Sequence, residues 1–300
     1  MKFLGTTTKA ANQTTCDGVE DPRILSAQLL NTKKSFRLKG YTHVRISEIG
    51  TFCPREYAIG YQLGSKKESY VEFATQQQFD LGSALHYWYQ NGGSKVFKDV
   101  LHGWWFCLSC QQTRKNKDGT NYFGLKPTTK CNNCGAHPAA SQYQEFFFRI
   151  DNPYRVVGKI DGVIKKDNVY RFCDLKSFWK KPDSGFPAGN DVTQIASYAH
   201  FYNFVPEEQK FPVPIDTSTV YLHYISKKFS YSDSLPTYQI KPTQKMIDLI
   251  VKRVKDFTDS TITGVLPEPF EQCVRNKFEK GRAKDCFLKN NCLHYYQEGK

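Results

Sequence analysis

The stretch that decides the fold covers residues 154–177, YRVVGKIDGVIKKDNVYRFCDLKS. Two runs rich in β-branched and aromatic residues, 154–164 and 169–177, favour strands, and the polar residues between them predict a hairpin turn. Because side chains two apart in a strand face the same side, Asp174 and Lys176 project together. The hairpin places Asp161, on the first strand, beside this pair.

Asp161, Asp174 and Lys176 form a group with a definite chemical use. Two carboxylates can share a hard cation such as Mg²⁺, which prefers oxygen ligands. A lysine ammonium beside them can orient water or steady a phosphate. The group therefore suits hydrolysis of a phosphodiester. A D-x-K pattern alone is common, so surface charges on a hairpin are the alternative interpretation.

Two further motifs flank this hairpin. Upstream, a run with helical spacing contains Gly82-Ser-Ala-Leu-His86. Downstream, Gln194-Ile-Ala-Ser-Tyr198 places two polar side chains four apart, on one face of an expected helix. Together with G-x-x-D ending at Asp161 and D-x-K starting at Asp174, the order of motifs resembles the PD-(D/E)xK nuclease superfamily, specifically its RecB-like branch.

This resemblance implies a role for each residue. The ligands of Mg²⁺ or Mn²⁺ would be His86, Asp161, Asp174 and, through its carbonyl, Leu175. Lys176 would orient the attacking water, and Gln194 and Tyr198 would position Lys176 or the DNA strand. Taken alone, His86 fits a buried helix histidine, Tyr198 a core residue and Gln194 a solvated helix residue.

The same resemblance implies a metal-dependent DNA nuclease that hydrolyses phosphodiesters with metal-activated water and leaves 5′-phosphates. We expect an exonuclease on single-stranded or free-ended DNA. A structure-specific or nonspecific endonuclease of the same fold is one alternative, and a non-catalytic DNA-binding or assembly module is another. Such enzymes serve DNA repair, recombination, phage replication and CRISPR adaptation. The sequence has no helicase motif, so unwinding would require a helicase or recombination partner.

Four of the ten cysteines form two C-x-x-C pairs within residues 103–140. The pairs are Cys107 with Cys110 and Cys131 with Cys134. This spacing is typical of a tetrahedral zinc site, because two short loops can close around one ion without a large core. We interpret residues 103–140 as an inserted, zinc-ribbon-like module with structural Zn²⁺. Four independent thiols are the alternative.

A second set of cysteines lies near the ends of the chain, at Cys53, Cys273, Cys286 and Cys292. Its distribution resembles the iron–sulfur exonucleases, including the AddB nuclease domain and the four-cysteine CRISPR adaptation nucleases. A [4Fe–4S] cluster joining the two ends of the fold is implied. That family commonly ends in C-x₂-C-x₅-C, and Ala283 stands where its first cysteine is expected. Cys273 would then supply this ligand; a second zinc, or His294 as a ligand, is the alternative.

Composition restricts the class of protein. The 300 residues carry 42 Lys and Arg against 29 Asp and Glu, a net charge of +13 that favours polyanionic partners. No apolar run reaches the length of a membrane span or a signal peptide, so we expect an intracellular, cytoplasmic protein. Reduced thiols in that compartment favour metal ligation over disulfides. Of the other two cysteines, Cys173 is expected in the core, and Cys16 has no assignment.

These features predict an α/β fold with a restriction-endonuclease-like core, a small mixed sheet flanked by helices. Residues 1–40 are expected to form a polar arm and residues 41–300 a RecB-like nuclease domain. Within that domain, residues 103–140 would be the zinc module and residues 268–300 the cysteine-rich C-terminal staple.

Overall fold

A computed structural model describes the fold of residues 35–71, 73–92, 97, 99–179, 185–227 and 237–299. Most of the expected arm at residues 1–40, with Cys16, lies outside these ranges; its last part, Ser35–Gly40, is a strand. The chain divides into two compact units. The smaller comprises Met1–Lys39 and Lys66–Leu81, and the larger comprises Gly40–Ser65 and Gly82–Lys300.

The described strands are β1 (Ser35–Gly40), β2 (Val44–Arg45), β3 (Lys66–Val71), β4 (Leu101–Cys107), β5 (Gln112–Thr113), β6 (Phe123–Gly124), β7 (Ser141–Gln144), β8 (Phe146–Ile150), β9 (Val156–Ile160), β10 (Gly162–Lys166), β11 (Val169–Phe178), β12 (Val220–Ser226) and β13 (Thr237–Ile240). The α-helices are α1 (Pro54–Gln62), α2 (Phe73–Gln90), α3 (Gly189–Tyr202), α4 (Gln244–Thr263), α5 (Glu271–Arg275) and α6 (Lys289–Gln297). Four short 3₁₀ turns join them at Ile46–Glu48, Pro138–Ala140, Glu207–Gln209 and Gly281–Asp285. In this part of the chain, no helix is long and apolar enough to cross a bilayer.

The main sheet of the larger unit has eight strands in the order β13-β12-β11-β10-β4-β5, with β6 and β7 also paired to β4. Strands β10 and β11 are antiparallel, with Gly162 opposite Cys173, which confirms the predicted hairpin. Strands β11 and β12 are parallel. The sheet is therefore mixed, and α3 packs against β11 and β12, which confirms the predicted α/β class. Cys173 is fully buried, as expected.

A smaller sheet has the order β2-β9-β8. The expected strand at residues 154–164 is in fact two strands, β9 and β10, which belong to different sheets. The break falls at Asp161, where the chain leaves the small sheet and joins the main one. A periodic run of β-formers cannot reveal this break, because each half satisfies the strand pattern by itself.

The core of the larger unit is aromatic. Phe146 and Phe148 on β8 lie in one buried cluster with Phe172 on β11 and Tyr202 on α3. The Phe172 and Tyr202 rings meet edge to face, with centroids 4.9 Å apart. The helical spacing of residues 70–92 predicts both Leu85 and Trp88 in the core. Leu85 is buried, but Trp88 is 50% exposed.

A buried histidine on β12 makes stability depend on pH. His223 is 2% exposed and packs against the rings of Tyr89 and Phe97. Burial lowers its pKa from 6.5 to about 4, so the fold favours the neutral ring. The unfolded chain therefore binds a proton first as pH falls below about 6.5, and stability falls with it.

We expect the unfolding free energy to fall by about 2 kcal/mol from about pH 7 to about pH 5 because of His223. Urea denaturation at both pH values measures this loss. His223→Phe is expected to remove that part of the pH dependence, and His294→Phe, at an exposed position, to retain it. Equal pH dependence in the parent protein and His223→Phe would contradict the assignment.

Candidate active site

One open cavity of about 540 Å³ brings together the polar residues singled out by the sequence motifs. The main sheet, the small sheet and two helices each contribute to its lining. Its polar lining includes His86 from α2, Asp161 between β9 and β10, Asp174 and Lys176 from β11, and Gln194 and Tyr198 from α3. Sequence reasoning therefore identified residues from separate elements that converge at one place.

Asp161 is fixed by the backbone of the neighbouring strand. Its Oδ2 accepts a hydrogen bond of 2.8 Å from the Leu175 amide and lies 3.6 Å from Nδ1 of His86. Its own carbonyl accepts from Nε2 of Gln90 at 2.9 Å. Burial raises the pKa of Asp161 well above its usual range, and the nearby Asp174 carboxylate adds to this effect.

Asp174 and Lys176 lie side by side, as the alternation in β11 predicts. Asp174 is 2% exposed, and its Oδ2 lies 2.8 Å from Nζ of Lys176. Lys176 also donates to Oε1 of Gln194 at 2.8 Å, and Gln194 donates to the Tyr198 hydroxyl at 3.3 Å. Burial alone would lower the pKa of Lys176, but the carboxylates of Asp174 and Asp161 raise it. The ammonium is therefore charged and held at a fixed place.

Glu145, just before β8, is the site residue that sequence reasoning missed. Ligand atoms of His86, Glu145 and Asp161 all lie within 4.8 Å of one another. Glu145 accepts from Nε2 of Gln90 at 3.0 Å and forms an ion pair with Lys159. The available signal was its position in the run 145–150, which puts Glu145 on the strand face opposite the buried Phe146.

The donor set of this cavity fits a divalent cation. Carboxylate oxygens suit Mg²⁺ and Mn²⁺, and an imidazole nitrogen is a common additional ligand. Burial lowers the pKa of His86, which favours the neutral ring that ligation requires. The buried Oδ2 of Asp174 forms its ion pair with Nζ of Lys176 at 2.8 Å but, within the described part of the chain, accepts no hydrogen bond of regular geometry. A bound cation would give that oxygen a second positive partner.

The four cysteines of residues 103–140 form a compact group. Sulfur atoms of Cys107, Cys110, Cys131 and Cys134 all lie within 4.8 Å of one another, which confirms that the two pairs meet. Burial opposes ionisation of Cys107, but backbone amides of Cys110 and Ser109 donate to its sulfur and lower its pKa to about 6. Amide donors of this kind stabilise the thiolate that a metal requires.

The terminal cysteines line one small pocket, although they come from distant parts of the chain. Its lining includes Cys53 ahead of α1, Cys273 on α5, Cys286, and Cys292 on α6. Ala283 lines the same pocket and is buried, while the side chain of His294 is 64% exposed and lies 3.2 Å from Glu298. Burial raises the pKa of Cys286 to about 11, and Glu56 adds to this effect.

No known protein family and no curated protein matches this sequence. Among solved structures, the crystal structure of SSO0001 is similar over 90% of this chain and 92% of that chain, at 14% identity and a TM-score of 0.34. An alkaline exonuclease (LHK-Exo) from Laribacter hongkongensis is similar over 79% of this chain and 93% of that chain, at 9% identity and a TM-score of 0.41.

Proposed function

We propose that this protein is a metal-dependent DNA nuclease of the PD-(D/E)xK, RecB-like type, and that it acts as an exonuclease leaving 5′-phosphates. One observation carries the proposal. Asp161, Asp174 and Lys176 line a single cavity with His86, Gln194 and Tyr198, although they come from separate elements. A surface hairpin with unrelated charges would not gather these residue types around one open space.

In this proposal, each residue of the cavity has a distinct task. The cation would be held by His86, Asp161, Asp174 and the carbonyl of Leu175. Glu145, whose ligand atom lies within 4.8 Å of those of His86 and Asp161, would add a further ligand. The cation would supply Lewis acidity toward water and the phosphate. Lys176 orients the attacking water and balances negative charge that develops on the phosphate. Gln194 and Tyr198 hold Lys176 in place.

The net charge supports DNA as the substrate. A surplus of +13 attracts polyanions and favours release of their counterions on binding. Affinity for DNA is therefore expected to fall steeply as salt concentration rises. A helicase or recombination partner would supply any unwinding.

Linear and circular single-stranded DNA test the proposal directly. We expect Mg²⁺ or Mn²⁺ to support complete degradation of the linear strand, and a chelator to stop it. The circle should survive, because an exonuclease needs an end. Cleavage of the circle would instead favour the endonuclease of the same fold. Binding of both without cleavage would favour the non-catalytic DNA-binding module and overturn the proposal.

We further propose two structural metal centres. Cys107, Cys110, Cys131 and Cys134 would hold Zn²⁺ in an inserted module at residues 103–140. Cys53, Cys273, Cys286 and Cys292 would hold a [4Fe–4S] cluster that joins the C-terminal residues 268–300 to the nuclease domain. In support, each set lies together, and thiolates are the usual ligands of both centres.

Colour tests the cluster. Protein purified without oxygen is expected to be brown, with absorbance at about 400 nm from sulfide-to-iron charge transfer. Cys286→Ser should lose most of this absorbance and bound iron. Cys173→Ala, at a thiol away from this pocket, should keep both. Colourless protein with two zinc ions per chain would show that the terminal cysteines hold zinc instead.

A further inference from the structure

The small sheet β2-β9-β8 has one buried face and one open face. Along β8, Phe146, Phe148 and Ile150 are buried, whereas Phe147 and Arg149 are exposed. Lys159 on β9 lies opposite Phe147, and Val157 lies opposite Arg149. Arg45 on β2 is paired in register with Val157. Opposite residues share a face, so the open face consists of Arg45, Phe147, Arg149, Val157 and Lys159.

Phe147 is the unusual member of this face. It is 60% exposed, although the phenylalanines on either side of it in the chain are almost completely buried. It also lines the cavity that contains Asp161, Asp174 and Lys176. An exposed ring at the rim of a polar cavity offers a flat apolar surface to whatever enters that cavity.

Two of the three basic side chains on this face have carboxylate partners. Lys159 forms an ion pair with Glu145. Nε and Nη2 of Arg149 donate to Asp151, with Nη2 to Oδ1 at 2.9 Å, and Asp151 also contacts His43 at 2.7 Å. Arg45 lines the same cavity as Phe147. An exposed aromatic ring beside basic side chains is the arrangement that binds single-stranded nucleic acid, since phosphates pair with the cations and a base stacks on the ring.

We propose that Phe147 is a base-stacking subsite for an unpaired nucleotide of DNA entering the active site. The backbone of that strand passes Arg45 and Lys159 on its way to the cavity. In a duplex, both faces of a base are covered by its neighbours, so only an unpaired or end nucleotide can present a free face to the ring. This inference rests on the proposed nuclease function and assigns it a substrate class, DNA with unpaired bases next to the scissile bond.

A scan with abasic nucleotides tests the subsite. The probes are short phosphorothioate-linked single strands, which resist hydrolysis, each lacking one base at a different position. We expect one abasic position to weaken binding to the parent protein by about 10-fold. Phe147→Ala should weaken binding of the intact strand by a similar factor, and the abasic position should then have no further effect.

Three controls define the result. Phe147→Trp, which keeps an aromatic face, should bind at least as tightly as the parent protein. Leu249 on α4 is also an exposed apolar residue, with 53% of its surface accessible. Leu249→Ala should bind the single strand as tightly as the parent protein. Covalently closed circular duplex DNA, which has neither unpaired nor end nucleotides, should bind Phe147→Ala and the parent protein equally. Because Phe147 is exposed, Phe147→Ala should unfold at nearly the parent temperature. If Phe147→Ala proves unstable, the comparison of Phe147→Trp with the parent protein still tests whether an aromatic face at this position binds the strand.

Two outcomes would overturn the subsite: parent-like binding of the single strand by Phe147→Ala, or loss of affinity that is the same at every abasic position. Binding to these resistant strands does not depend on catalysis. Failure of the nuclease proposal would appear separately, as DNA that stays intact with Mg²⁺ or Mn²⁺ while the abasic effect remains.

Discussion

Asp174→Asn is expected to lower the rate of DNA hydrolysis by at least about 10³-fold, because it removes the buried charge at the centre of the cavity. The asparagine has nearly the same shape, so the cavity should keep its form. Two functions are lost together: a carboxylate ligand for the cation, and the anion 2.8 Å from the Lys176 ammonium. Degradation of end-labelled single strands with Mg²⁺ or Mn²⁺ measures the effect.

A matched control separates this effect from a general change of charge. Asp259→Asn on α4 removes a carboxylate that is half exposed and pairs with Lys255, and it should leave the rate unchanged. Mn²⁺ binding, followed by electron paramagnetic resonance, should weaken in Asp174→Asn alone. If Asp174→Asn hydrolyses DNA at the rate of the parent protein, the assignment of the active site is wrong.

Cys131→Ser is expected to abolish zinc binding and open the module at residues 103–140. Structural zinc contributes about 10 kcal/mol or more to the folding of small zinc-binding peptides. Here the module also has bonds of its own: Arg114 donates to Thr129 at 2.6 Å, and Trp105 donates to Gly124 at 3.0 Å. Between β4 and β7 the chain forms just two strands of two residues each, β5 and β6, so without the metal this segment should become sensitive to proteases.

Elemental analysis and limited proteolysis measure the two parts of this prediction. The parent protein should contain one zinc per module and resist cleavage there, and Cys131→Ser should contain none and be cut within residues 108–140. Cys173→Ala removes a thiol outside the module and should retain zinc. A module that stays resistant to proteases without zinc would show that its packing, rather than the metal, holds it together.

The hairpin that carries Asp161, Asp174 and Lys176 could be predicted because its signals are local. The alternation of β11 determines that Asp174 and Lys176 share a side, and a polar turn determines that β10 returns beside it. The position of His86 and Gln194 relative to that hairpin depends on long-range packing. Only the order of motifs, through the family resemblance, indicated that they belong with it.

Other features could not be predicted, for physical reasons. Alternation in the run 145–150 predicts the strand face of Glu145, but the meeting of that face with Gln90 on α2 depends on packing between distant elements, which neither local pattern records. Phe147 sits in a run of three phenylalanines, where hydrophobicity alone suggests burial of all three. Trp88 has the helical spacing of a core residue, but no local signal shows that half of its surface is exposed.

The chain passes from the small sheet to the main sheet at Asp161, and this passage restricts where the protein can accept inserted residues. One residue added between Gly158 and Lys159 would invert the alternation in the last part of β9, turning Ile160 outward and Lys159 into the core. The tip of the four-cysteine module, at residues 116–120, is an exposed turn, where added residues cost little. Natural relatives are therefore expected to vary in length at that tip and to keep residues 156–166 free of insertions.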